Sequence, residues 1–195
     1  MDHPALALLE FSSIAAGIAA GDAMVKRAPV AAIQSGTVQP GFYLVMVAGD
    51  VASVGEAVEA GRETCTAELR DELFLPQIHP AVVAAIAGTR RQGFTDALGI
   101  IETQTVASAI HAADAGVKGT EVQLLQLRLA DGLGGKGLLF FQGLVADVET
   151  AVDISAAAAG TQLRRQQVVA QLHDEMWPNV NAHGRFGTHF NWENS

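Results

Sequence analysis

Charge and sulfur are both scarce in this chain. Of 195 residues only 17% are charged, and there is a single cysteine. A lone Cys65 cannot close an internal disulfide, which excludes a stapled secreted scaffold and fits a reducing compartment. Basic residues are few, 12 Lys and Arg against 21 Asp and Glu, for a net charge of −9. Phosphate binding needs clustered Lys and Arg, so nucleic acid is excluded as a partner. No apolar run reaches the roughly 20 residues that cross a bilayer, and no basic segment precedes an apolar stretch near the N-terminus. Neither a membrane span nor a signal peptide is expected, which predicts a cytoplasmic protein. What is plentiful is apolar residue: 49% of the chain, with a mean hydropathy of +0.24. That exceeds what two small domains need to hide and predicts a large, dry interface between domains or subunits.

The chain also says nearly the same thing twice. Ala5-Leu6-Ala7-Leu8-Leu9-Glu10 returns as Ala97-Leu98-Gly99-Ile100-Ile101-Glu102, and Gly21-Asp22-Ala23-Met24-Val25-Lys26 as Ala113-Asp114-Ala115-Gly116-Val117-Lys118. The offset is 92 in both (102 − 10 and 118 − 26). Val54, Val58 and His79 match Val148, Val152 and His173 at an offset of 94 (173 − 79). Two residues were therefore inserted between Val122 and Gly135 of the second copy. The repeat sets the organisation: a first domain over 1–92, a second over 93–183 and a tail over 184–195.

Within the first copy the pattern predicts a strand at 5–10, a helix capped by Ser12 or Ser13 and stopped by Pro29, and a strand at 30–33. A loop over Gln34–Gly41 and a strand at 42–47 follow. Asp50 caps a second helix ending near Gly61; a short strand covers 73–75, and a helix begins at Pro80. The second copy repeats this order, with strands at 98–102, 122–129, 138–141 and near 168–172, helices at 106–118 and 145–154, and a loop at 130–137. The order β-α-β-β-α-β is the ferredoxin-like, split βαβ pattern of an α+β fold.

Several motifs invite an enzymatic reading and do not sustain it. Gly132-Leu133-Gly134-Gly135-Lys136-Gly137 matches G-x-G-x-x-G, but it leads into the strand-like Leu138-Leu139-Phe140-Phe141, whereas a dinucleotide fingerprint leads into a helix. A Walker loop fails too, with Asp131 and Gly137 at positions that require Gly and Ser or Thr. His183 and His189 lack a matching carboxylate or cysteine, so no metal site is expected. Cys65 reads as a quiet structural thiol, Glu10 and Glu102 as satisfied structural carboxylates, and His79 and His173 as a structural pair. Lys26 and Lys118 end equivalent helices, where a cation complements the helix dipole.

The succession of strand, helix ending Asp-Ala-x-Val-Lys, strand, glycine-bearing loop, strand and Gly-x-Val-x-x-Val helix, in both halves, resembles the bacterial microcompartment shell domain. The tandem arrangement is similar to the trimeric shell proteins of the propanediol-utilisation type, with Thr37-Val38-Gln39-Pro40-Gly41, Gly132-Leu133-Gly134-Gly135-Lys136 and His173-Asp174-Glu175-Met176-Trp177 carrying the likeness. The resemblance implies a homotrimer of six shell domains, a pseudohexameric tile with a central pore for small metabolites, meeting other shell proteins edge to edge. It places Gln39, Pro40, Gly41, Leu133, Gly134, Gly135, Lys136 and Gly137 at the pore, and Lys26, Lys118, His79 and His173 at the tile edge. Inward-pointing Lys136 would favour anions, with Asp131 offsetting it. It further implies a structural role without catalysis. The propanediol-type protein is expected to hold an iron–sulfur cluster through a cysteine after Gly-Gly-Lys; Gly137 stands there, so no cofactor is expected. Many shell proteins carry an edge arginine shortly before the histidine of the final strand; the corresponding stretches here read Gln77-Ile78-His79 and Gln171-Leu172-His173, which implies a less charged edge contact. The competing reading is a trimeric ferredoxin-like sensor or enzyme with ligands in the clefts between subunits, which should gather titrating groups at one cleft.

Overall fold

The computed structural model describes residues 5–91, 93 and 96–182. They form two units of the same design. The first runs β1 (Ala5–Phe11), α1 (Ile14–Arg27), β2 (Ala32–Val38), β3 (Phe42–Gly49), α2 (Val51–Thr64), β4 (Leu69–Leu75) and α3 (Pro80–Ile86). The second runs β5 (Ala97–Thr103), α4 (Val106–Gly119), β6 (Gln123–Leu129), β7 (Gly137–Gly143), α5 (Val145–Ala159), β8 (Leu163–Ala170) and α6 (Trp177–Asn181). Each unit has one four-stranded antiparallel sheet, ordered β2-β3-β1-β4 and β6-β7-β5-β8. This is the ferredoxin-like order expected of the split βαβ pattern.

The central strand β1 is buried along its whole length, as its continuous apolar run requires. Helix starts carry their caps: Ser13 accepts from the Ala16 amide, Asp50 from Ser53 and Thr105 from Ser108. In the first unit, Ala16, Ala20 and Met24 of α1 and Val54, Ala57 and Val58 of α2 pack on Ala7, Leu9, Val45 and Val47 of the sheet. On the order of 1.5–3 kcal/mol per large apolar side chain accrues from such burial.

Three strands differ from the pattern-based expectation. β2 covers Ala32–Val38, so Gln34–Val38 is strand and only Gln39–Gly41 turns. It is an edge strand with mostly exposed side chains, so backbone pairing to β3 holds it without any apolar alternation to betray it. β4 begins at Leu69 and β8 at Leu163, well before the apolar residues that advertised them, and β8 ends at Ala170. In their polar openings Asp71 and Glu72 pair with Glu10 and Leu9, and Arg165 and Gln166 with Glu102 and Ile101, while Arg70 and Arg164 fall at a shift in register.

The register locates the insertion. Glu10 lies opposite Leu44 and Glu102 opposite Leu138, so β3 and β7 match at 94 (138 − 44) while β1 and β5 match at 92 (102 − 10). Val38 pairs with Phe42 across Gln39, Pro40 and Gly41, and the Ala130 amide bonds the Lys136 carbonyl across Asp131 to Gly135. The second turn is thus the longer by two. A smaller exchange had left no trace in the sequence pattern. The α4–β6 connection is one residue shorter than its counterpart, and a bulge between Leu124 and Gln126 restores the register.

The two units share a core. Leu6, Leu8, Leu73, Leu75, Ile78, Val82 and Ala85 of the first pack with Val106, Ile110, Ala113, Val117 and Leu124 of the second. Helix α4 is accordingly buried on nearly every side, between this sheet face and its own. No helix among the described residues is long and apolar enough to cross a membrane.

Candidate functional site: paired turns and the domain junction

The turns after β2 and β6 lie side by side. The Gln39 amide donates to Asp131 Oδ1 at 3.3 Å, and the Gly132 amide donates to Gln39 Oε1 at 3.1 Å. Thr37, Val38, Gln39, Pro40, Gly41, Asp131 and Gly134 line an open recess there. The longer turn needs its glycines: Gly132, Gly134 and Gly135 all have left-handed backbones, at φ +75°, +65° and +84°. At Gly135 space is short as well, since a Cβ would sit 2.9 Å from the Phe42 ring and 3.0 Å from the Gln39 carbonyl.

Of the residues expected at a pore, the structure brings together Gln39, Pro40, Gly41, Gly134 and Gly135, with Leu133 half-buried in the same turn. Lys136 and Gly137 sit at its base. The Lys136 amine is ion-paired with Glu102. Gly137 opens β7 with its bare Cα toward α4; a Cβ would lie 2.2 Å from that of Ala109. The G-x-G-x-x-G run ends in a strand, which denies it the helix N-terminus that a pyrophosphate needs.

The second place of interest is the domain junction. The Glu10 carboxylate is 1% exposed. Its Oε1 accepts from the Ala107 amide at 2.6 Å, at the start of α4, and its Oε2 pairs with Arg70 at 3.2 Å. Arg70 in turn stacks 3.6 Å from the centroid of the Phe42 ring. Burial pushes the Glu10 carboxyl up to about 7, against the downward pull of the Ala107 amide and the Arg70 charge. At the other end of α4, Asp114 Oδ1 accepts from the His79 amide at 2.7 Å, and Asp114 Oδ2 pairs with Lys118 at 2.6 Å. The Lys118 amine also donates to the Gln77 carbonyl. Lys118 and His79, both expected at a tile edge, thus meet at this junction.

Lys26 forms the matching ion pair with Asp22 at 2.5 Å on the exposed face of α1. His79 and His173 have the same local duty: each Nδ1 accepts an amide two residues on, from Ala81 and Glu175 respectively. Cys65 caps the end of α2 against the first core. Sequence reasoning missed Arg70 as the partner of Glu10, and Asp114 and Gln77 as junction residues; a polar residue that meets a different domain, as Asp114 does, leaves no periodic signal in its own. No group of three His, Cys, Asp or Glu among the described residues is arranged to hold a metal. His183, His189 and the tail over 184–195 lie outside the described residues.

Comparison with known proteins agrees with this architecture. The sequence matches the BMC domain twice, over residues 5–78 and 97–172. It is 41% identical to the bacterial microcompartment shell protein PduT of Citrobacter freundii, over 89% of this chain and 95% of that one. It is 27% identical to the carboxysome assembly protein CcmO of a Synechocystis strain, over 88% of this chain and 60% of the relative. Among solved structures, a microcompartment protein from Desulfitobacterium hafniense superposes with a TM-score of 0.77 at 38% identity, covering 90% of this chain and 98% of that one. The fused permuted hexameric shell protein of the RMM microcompartment shares the fold at a TM-score of 0.60 and 17% identity, covering 80% and 83% of the two chains. With two matching domains, a shared interdomain core and a relative of this identity along most of its length, the chain belongs to the BMC-domain family of bacterial microcompartment shell proteins.

Proposed function

We propose that three copies of this chain form a flat, pseudohexameric tile whose six turns enclose a central opening for small metabolites, and that the tile is structural and not catalytic. The pairing of the Gln39–Gly41 turn with the Asp131–Gly135 turn carries this reading. Turns from unlike domains are already brought together within one chain. Continuing the same domain-to-domain step through further copies would gather all of them around one axis. Backbones that converge in this way favour glycine, which both turns supply.

In this reading Gln39, Pro40, Gly41, Leu133, Gly134 and Gly135 line the opening, while Lys136 and Gly137 support the longer turn from behind. With the Lys136 charge met by Glu102, the exposed Asp131 sets the sign of the field at the mouth. Unequal turns, of three and five residues between the paired positions, give the opening three-fold symmetry. Lys26, Lys118, His79 and His173 mark the perimeter, where one tile meets other shell proteins. The competing reading is a trimeric sensor or enzyme with ligands bound in the clefts between subunits.

Electron microscopy of the purified protein tests the proposal. Six-sided particles with a central opening, packed into sheets, are expected. Monomers, dimers, or discrete trimers whose melting shifts with a metabolite would favour the sensor.

A further inference from the structure

Each sheet turns one face to its own two long helices, and the opposite faces of the two sheets are not filled alike. On the second domain the side chain of Arg128 occupies that face. Its Nη2 donates to the carbonyls of Val180 and Ala182 at 2.7 and 3.1 Å, and its Nε donates to Gln126 Oε1 at 3.0 Å. The guanidinium carbon lies 5.5 Å from the centroid of the Phe140 ring. A cation on an apolar stem is thus held by three neutral oxygens beside an aromatic ring.

The first domain keeps the acceptors and lacks the arginine. Gln34 lies opposite Met46 as Gln126 lies opposite Phe140, and Gly36 lies opposite Leu44 as Arg128 lies opposite Leu138. Gly36 therefore stands in the place of Arg128, and Met46 in that of Phe140. Helices α3 and α6 begin with the same pair of bonds, to the carbonyls of His79 and His173. Ile86 follows His79 by seven positions (86 − 79), as Val180 follows His173 (180 − 173), so the Ile86 carbonyl is the counterpart of the one that Arg128 binds. Among the described residues, nothing donates to the Gln34 side chain or to the Ile86 carbonyl. A Cβ on Gly36 would meet nothing within 4 Å. A cavity of about 270 Å³ opens at this place, between Leu8, Leu44 and Met46 of the sheet and Ile86, Val106 and Leu129. Gln34, Gly36 and Asp131 also line it.

We infer that this cavity is a binding site for a small alkylguanidinium, a ligand that supplies from outside what Arg128 supplies within the second domain. The alkyl stem lies on Leu8, Leu44 and Met46, where polarisable sulfur replaces the ring of Phe140. The head group donates to Gln34 Oε1, to the Ile86 carbonyl and to the Asp131 carboxylate. A planar fork of N–H donors suits several oxygens fixed in place, and the carboxylate, which the second domain's arrangement lacks, selects a cation over a neutral molecule of the same size. Size agrees, since an apolar cavity of about 150 Å³ already holds benzene. It also limits the ligand to a small molecule. Every lining residue belongs to one chain, so the site goes beyond the tile reading and does not rest on it.

Titration of the full chain with n-butylguanidinium chloride tests the site, read by the methyl resonances of carbon-13-labelled methionine. Met46 lines the cavity, and Met24 lies in the first domain's other core. The Met46 signal should shift and saturate with a dissociation constant of about 1 mM or below, as a ligand of few heavy atoms allows, while Met24 stays still. Gly36→Arg places an arginine where Arg128 sits in the second domain, and should abolish the shift. Asp131→Asn, at an exposed position that the fold does not need, should weaken binding about fivefold. The neutral n-pentanol should bind more weakly than the cation. A Met46 signal that does not saturate overturns the inference, as does n-pentanol binding as tightly as the cation. Unchanged binding in Gly36→Arg or in Asp131→Asn overturns it too. Should Gly36→Arg fail to fold by circular dichroism, Asp131→Asn and n-pentanol decide the matter. The tile reading fails separately, by monomers or dimers under the electron microscope, and neither result touches the other.

Discussion

The carboxylate of Glu10 lies 2.6 Å from the backbone amide of Ala107, 97 positions further along the chain. It is the first domain's grip on the leading end of the second domain's most buried helix. A carboxylate accepting an amide at a helix N-terminus answers both the unpaired donor and the positive end of the dipole. Here it does so almost without water.

That burial gives the protein a pH dependence with a definite sign. The folded carboxyl titrates at about 7 against 4.5 when unperturbed, so the folded state holds the extra proton between those values. Stability is therefore full below about pH 4.5 and declines as pH rises through 7, by roughly 3 kcal/mol in total if no other group intervenes. Thermal melts of the parent and of Glu10→Gln at pH 5 and pH 8 check this. The variant should show a smaller fall between the two; an equal fall in both would assign the effect elsewhere.

Asp114 serves three groups at once, the His79 amide, the Lys118 amine and, through that amine, the Gln77 carbonyl. Asp114→Ala empties a buried position and leaves the exposed Lys118 amine and the part-buried His79 amide without their shared acceptor, at a cost of about 1–3 kcal/mol. The same change at the exposed Asp22 should cost an isolated chain under about 1 kcal/mol. Denaturant titrations of both variants in monomeric form provide the comparison, and equal losses would contradict it.

Gly135 combines a left-handed backbone with a Cβ position against the Phe42 ring and the Gln39 carbonyl. Gly135→Val should part the two turns and destabilise the protein by about 1–3 kcal/mol. It should also alter single-channel conductance in a planar bilayer. Gly36 has nothing within 4 Å of its Cβ position, and Gly36→Ala should change neither quantity.

Charge at the proposed opening is testable in the same recording. Asp131→Asn should shift permeation toward anions, since it removes the exposed carboxylate of the turn. Lys136→Glu should change ion preference little and weaken the protein instead, because it sets two carboxylates face to face at Glu102. A full reversal of preference on Lys136→Glu would return that lysine to the opening.

The fold could be read from the sequence where burial is one-sided and periodic. The repeated Ala-Leu-Ala-Leu-Leu and Ala-Leu-Gly-Ile-Ile runs, the capping Ser13 and Asp50, and Pro80 at a helix start all act locally, and the structure uses each as expected. The polar starts of β4 and β8 were hidden because an edge strand needs only one partner and tolerates any side chain that reaches water. The site was legible as composition and not as contact. Glycine in both turns marked them, but nothing in the order of residues says that Lys136 turns back to Glu102 or that Gly137 faces Ala109. Junction residues such as Asp114 looked like ordinary helix-surface acids, because their partners sit 35 positions away in another domain.

The unequal lengths of the two turns have a practical consequence for how such a wall can evolve. In a ring of identical subunits every substitution near the axis is imposed six times over, so even one added methyl group is a coarse adjustment. A fused pair of domains halves that dose. In the proposed tile, the shorter turn can hold the aperture's frame while the longer one drifts in bulk and charge, which would let permeability be refined by selection without re-testing the seams that keep the wall intact.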